Sequence, residues 1–98
     1  MTLRISLQDG FRDDGVVVLV NGDEVYRNDH VTESLLTGLS DETSVEVGEG
    51  PVRIDCEVPT QGLARSEVID ATATPYLGIA IVDGGIEFRP SPAPFFHG

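Results

Sequence analysis

The stretch Val45-Glu46-Val47-Gly48-Glu49-Gly50-Pro51-Val52-Arg53-Ile54-Asp55-Cys56-Glu57-Val58 decides the fold class. Apolar residues alternate with charged ones on both sides of a Gly-Glu-Gly-Pro break. Successive side chains on a strand point to opposite faces, so one row turns inward and one outward. The break has two permissive glycines and a proline that lacks an N–H, which suits a turn. The pattern predicts a β-hairpin over 43–58, wet on one face and covered on the other.

The same period extends toward the N-terminus. Leu3, Ile5 and Leu7 alternate with Arg4, Ser6 and Gln8, which reads as a strand with one buried face. Val16–Val20 is an unbroken apolar run, β-branched except at Leu19, and reads as a central strand buried on both faces. Asn21-Gly22 is a strong two-residue turn signal, because both residues tolerate positive φ. Glu24-Val25-Tyr26-Arg27 reads as the returning strand. Residues 28–42 are the least strand-like. Leu35, Leu36 and Leu39 have helical spacing and Thr32 is a capping type, so one short helical turn near 33–39 is expected, its leucines plugging an open end of the core.

Toward the C-terminus, Pro59–Gly62 reads as a loop and Leu63–Ala71 as an edge or weakly buried strand. Tyr76–Val82 and Ile86–Arg89 read as a hairpin pair around Asp83-Gly84-Gly85. Pro90, Pro92 and Pro94 make an extended segment unsuited to a central strand. The expected fold is a single-domain, all-β antiparallel sandwich of about seven to nine short strands. Its expected limits are 1–89, with 90–98 a proline-rich tail ending in aromatics. The 98 residues suffice for one modest core.

Composition narrows the function classes. There are 17 acidic residues against six basic ones, all arginine, for a formal charge of −11. Nucleic-acid binding through counterion release needs cations, and so does docking on an anionic membrane, so neither partner is expected. The longest apolar run is five residues, Val16–Val20, against roughly 18–20 for a membrane-spanning helix. Met1-Thr2-Leu3-Arg4 leads straight into strand alternation without a signal-like apolar region, and Cys56 is the single cysteine. A cytoplasmic, reducing location is the expectation.

Few residues suggest chemistry. Cys56 shares the inward row with Ile54 and Val58, where a thiol behaves as a small hydrophobe. Asp9, Asp13, Asp14 and Asp23 crowd two loops and are the candidate metal ligands, yet they lack the alternating Asp-x-Asp-x-Asp-Gly spacing of a calcium loop. Asp29-His30 with His97 is a sparser zinc candidate, short of a full ligand set. No phosphate-cradling glycine loop precedes a helix, no Gly-x-Ser-x-Gly elbow occurs, and the absence of lysine excludes Schiff-base chemistry. No metal site and no cofactor are expected.

The tail is the interaction candidate. Phe95, Phe96 and His97 follow the prolines, and leaving two phenylalanines in water forgoes roughly 1.5–3 kcal/mol each. They are expected to pack on their own domain or on a neighbour.

Val18-Leu19-Val20-Asn21-Gly22-Asp23, Ser40-Asp41-Glu42 and Glu49-Gly50-Pro51-Val52-Arg53-Ile54, in this order, resemble transthyretin-like and carboxypeptidase-regulatory-like β-sandwich modules over residues 16–58. The family's Asp-x-x-Gly-aromatic corner is missing at Asp41-Glu42-Thr43-Ser44-Val45. The resemblance implies a non-catalytic accessory or binding module. The expected function is a non-enzymatic binding or assembly module that self-associates or docks on another protein. The alternatives are a carbohydrate- or small-ligand-binding sandwich and a small enzyme using loop acids such as Asp13, Asp14 and Asp29.

Overall fold

The computed structural model describes residues 1–34, 36 and 39–95. Among them lie eight strands: β1 (Thr2–Leu7), β2 (Asp14–Val20), β3 (Asp23–Val31), β4 (Asp41–Glu46), β5 (Pro51–Val58), β6 (Leu63–Asp70), β7 (Tyr76–Val82) and β8 (Gly85–Ser91). They form two four-stranded sheets, ordered β4-β1-β7-β8 and β3-β2-β5-β6. The all-β sandwich is thus the observed architecture. Its core is the inward rows of both sheets, including Leu3, Ile5, Leu7, Val18, Ile54 and Leu77.

Two hairpins follow directly from turn chemistry. Asn21 and Gly22 have φ of 51° and 86°, and Asp83 and Gly84 have 52° and 74°. Two consecutive positive φ values match the right-handed twist of the strands they join. Val20 therefore faces Asp23, and Val82 faces Gly85. Gly85 opens β8 and does not belong to the loop.

The stretch 43–58 is not a hairpin. β4 pairs with β1 in the first sheet, whereas β5 pairs with β2 and β6 in the second. Gly48–Gly50 carries the chain across the sandwich. The two flanking strands find other partners: Val47 N donates to Met1 O (2.8 Å), and Ala71 N donates to Gly50 O (3.1 Å). Alternation sets which side chains turn inward, and it is the same for a hairpin and for a crossing between sheets. The sheets are also not wholly antiparallel, because β1 and β7 run parallel with Arg4 opposite Tyr76.

No helix forms among the described residues of 33–39. Ser34 N donates to Leu39 O (3.0 Å) and Thr32 Oγ1 accepts from Asp13 N (2.9 Å), so the segment is a loop. Leu36 is 90% exposed and plugs nothing, Leu39 is half-buried, and Leu35 lies outside the described residues. The one helical turn found is a 3-10 turn at Pro59–Gln61, started by the proline. β8 continues through Pro90 and Ser91, opposite Leu77 and Tyr76. Proline fits there because β8 is an edge strand.

Polar contacts close both flanks of the sandwich. On one, Tyr26 Oη of β3 donates to Asp41 Oδ2 of β4 (2.7 Å). Burial, and then this carboxylate, push the Tyr26 phenol up to about 12. On the other, Arg65 Nη1 of β6 donates to Ile86 O of β8 (2.7 Å), and its guanidinium lies 5.5 Å from the Phe88 ring centroid.

Candidate functional site

The inward row of β5 places Cys56 in the core, fully buried. Burial, and after it Glu57, push the thiol up to about 12. A thiol held protonated and enclosed is a poor nucleophile and a poor metal ligand.

The candidate acids do not converge. Asp14 opens β2 and Asp23 follows its far end, so seven strand residues separate their loops and the two lie at opposite ends of the sandwich. Asp14 is 4% exposed and accepts from Arg12 N (2.9 Å), Thr60 Oγ1 (2.7 Å) and Gln61 Nε2 (2.9 Å). Burial pushes this carboxyl upward, but the three donors together outweigh it and hold the group below its usual range. Asp14 thereby ties the 11–13 turn to the 3-10 turn. Asp9 accepts from Arg89 Nη1 (2.8 Å), and that bond keeps its carboxyl low. Asp13 meets His30 Nδ1 at 2.8 Å in an exposed pair. Asp29 is exposed on β3, and His97 lies outside the described residues. Among the described residues, no group of three or more His, Cys, Asp or Glu could hold a metal ion.

A cleft among the described residues lies elsewhere, on the outer face of the β4-β1-β7-β8 sheet. Register aligns Ser44, Arg4, Tyr76 and Ser91 in one row across the four strands. Glu42, Ser6, Gly78 and Arg89 form the next row. After β8 the chain bends at Ser91, whose Oγ donates to Ala93 O (2.7 Å) and accepts from Ala93 N (3.2 Å). Pro94 and Phe95 then come to the sheet and form a wall of a cleft of ≈ 170 Å³. Arg4, Ser6, Ser44 and Tyr76 line the rest, with Glu42 at the β4 side. Phe95 is half-buried there. Phe96 and His97, the other two tail residues of interest, lie outside the described residues.

Beside the cleft the face is tightly organised. Gly78 lies directly under the Gln8 side chain; a Cβ at residue 78 would come 2.6 Å from Gln8 Nε2. Gln8 Oε1 accepts from Arg89 Nη1 (2.9 Å), and Arg89 Nε donates to Glu87 Oε2 (2.6 Å). The absence of a side chain at Gly78 lets Gln8, the residue after β1, and Arg89 of β8 meet above β7.

Of the cleft residues, sequence reading singled out only Phe95. Alternation did turn Arg4 and Ser6 outward, but nothing local joins them to Ser44 or Tyr76. No helix among the described residues is long and apolar enough to cross a membrane. No protein-family model, curated protein or solved structure matches the chain.

Proposed function

We propose that the chain is a non-enzymatic binding or assembly module, which self-associates or docks on another protein through its C-terminal segment. The observation that supports this reading is the position of Phe95. The segment after β8 lies on the outer face of the β4-β1-β7-β8 sheet, and Phe95 is only half-buried there. An aromatic held on a rigid sheet and left partly open to water is an anchor type for protein contacts. The formal charge of −11 favours a partner with basic character and disfavours nucleic acid or an anionic membrane. The resemblance to transthyretin-like modules points the same way, toward a non-catalytic accessory or binding role.

Deleting residues 92–98 leaves β8 whole and tests the proposal. Sedimentation or light scattering on the full chain is expected to show self-association, or pull-down a stable partner, that the truncated chain loses while its far-ultraviolet spectrum is retained. Equal association in both proteins would overturn it.

The cleft favours a second reading, a small-ligand-binding sandwich. Its floor is a rigid sheet and its wall is the tail, so a ligand there would rest on pre-formed geometry.

A further inference from the structure

We infer that the cleft on the outer face of the β4-β1-β7-β8 sheet binds small monocarboxylates, with the Arg4 guanidinium taking the carboxylate and Tyr76 and Phe95 flanking the apolar body. This rests on the small-ligand reading and names its ligand class.

Acids outnumber arginines 17 to six in this chain, and most arginines have found one. Arg27, Arg53, Arg65 and Arg89 each have a carboxylate within ion-pair distance. Arg4 has none among the described residues, although it lines a cleft on an acidic molecule. Its strand neighbours on either side are Ser44 and Tyr76. It thus has hydroxyl groups on both sides, and Ser6, 7% exposed, lies two residues along the same strand. A guanidinium fork beside hydroxyls suits the planar, two-oxygen acceptor of a carboxylate.

Charge and size restrict the class further. The lining holds one arginine, which can match one negative charge through its fork, and Glu42 in the same lining repels any further charge, so a phosphate dianion is disfavoured. The ≈ 170 Å³ of the cleft is comparable to a cavity of about 150 Å³ that holds a benzene ring, so a ligand of benzoate-like size suits it. The walls provided by Tyr76, Pro94 and Phe95 suit an aryl or short alkyl body.

Titrating the isotope-labelled full chain with benzoate and with benzamide, followed by amide chemical shifts, tests the inference. The two probes share a shape and differ in charge. Benzoate is expected to shift the signals of Arg4, Ser6, Ser44 and Tyr76. Benzamide, and benzoate against Arg4→Gln, are each expected to bind about tenfold or more weaker, as loss of a charged hydrogen bond implies. Arg4→Lys, which keeps the charge without the fork, is expected to lose less than Arg4→Gln. Undisturbed signals elsewhere in each variant report that the sandwich is intact. Equal binding of benzamide, or unchanged benzoate binding by Arg4→Gln, would overturn carboxylate recognition and leave the small-ligand reading standing. No shift with either probe would remove both.

Discussion

The two outer faces of the sandwich are built from the same kinds of residue and differ in how those residues are used. On the β4-β1-β7-β8 face, the strand β7 contributes Gly78 and Ala80, both buried. With so little side chain there, Gln8 lies flat, Arg89 reaches across to Gln8 and Asp9, and the tail forms a wall. On the β3-β2-β5-β6 face, β5 presents Arg53, Asp55 and Glu57 in a row. Asp55 accepts from Arg53 and from Ser66 across the strand, and these bonds stay close to the sheet. Val17 and Leu19 pack beneath long charged neighbours such as Arg27 and Glu57. A polar face becomes concave where small residues let side chains from different strands converge. Where charges occupy the middle strand it remains a solvated ladder.

The strongest way to break this contrast is to give the first face the side chain it lacks. Gly78→Ala forces the Gln8 amide away and with it the bond to Arg89. Chemical denaturation is expected to show a loss of about 1–3 kcal/mol, the range for overpacking a site that cannot expand freely. A neutral result would mean that Gln8 relocates at no cost and that the face is not tightly built.

The next test uses acid, and it compares the faces with the end of the sandwich that joins them. Asp9 on the first face, Asp55 on the second and Asp14 at the end all have carboxyls held below the usual 3.8 in the folded chain. For a group depressed by folding, stability is fully present above the unfolded value and is lost as pH falls through the folded one. The protein is therefore expected to lose stability below about pH 4. Asp14→Asn removes the charge and replaces one of the two acceptor oxygens by a donor that faces other donors, so it is expected to cost about 1–3 kcal/mol at neutral pH and to flatten the acid limb. Urea melts between neutral pH and pH 3 measure both. An unaltered acid limb would assign the acid sensitivity to the exposed faces instead.

The smallest effect is expected on the second face. Arg53→Ala removes an exposed ion pair with Asp55 and is expected to change stability by less than about 1 kcal/mol. A larger loss in the same urea melts would show that this face is more than a solvated ladder.

What the sequence disclosed depended on range. The Asn21-Gly22 hairpin is legible because a two-residue loop makes a local demand on φ that those residue types meet; the second hairpin is legible at Asp83-Gly84-Gly85 but one residue too long, because Gly85 pairs with Val82 as the first residue of β8. β1, β5, β7 and β8 are legible from inward rows that the core matches at Leu3, Ile54, Leu77 and Phe88, and β2 from its unbroken apolar run, although Leu19 on its outer side is only half-buried. β6 was ambiguous for a physical reason: Arg65 and Glu67 stand on its inward row, at a sheet edge. Inward charges at an edge discourage pairing with another chain and also spoil the alternation. The crossing at 48–50 has the sequence of a hairpin because the choice between one sheet and two is made by β1, β2 and β6, not by the turn. The cleft was invisible for the same reason. It joins β1, β4, β7 and the tail, and only Phe95 carried a local signal.

The parallel pairing of β1 with β7 has a consequence for the order of assembly. Among the described residues, β1 finds its strand partners in residues 41–46 and 76–79. The second sheet, by contrast, draws on residues 14–31 and 51–70 and includes a hairpin closed by two residues. In chain order Leu3, Ile5 and Leu7 therefore have no strand partner until residues 41–46, and their sheet is completed only by β7 and β8, after all four strands of the opposite sheet. Joining β1 to β7 closes a large loop, an entropic step that the earlier pairing of β1 with β4 shortens. The Arg4 row is then among the last parts of the molecule to form, because it needs β1, β4 and β7 together.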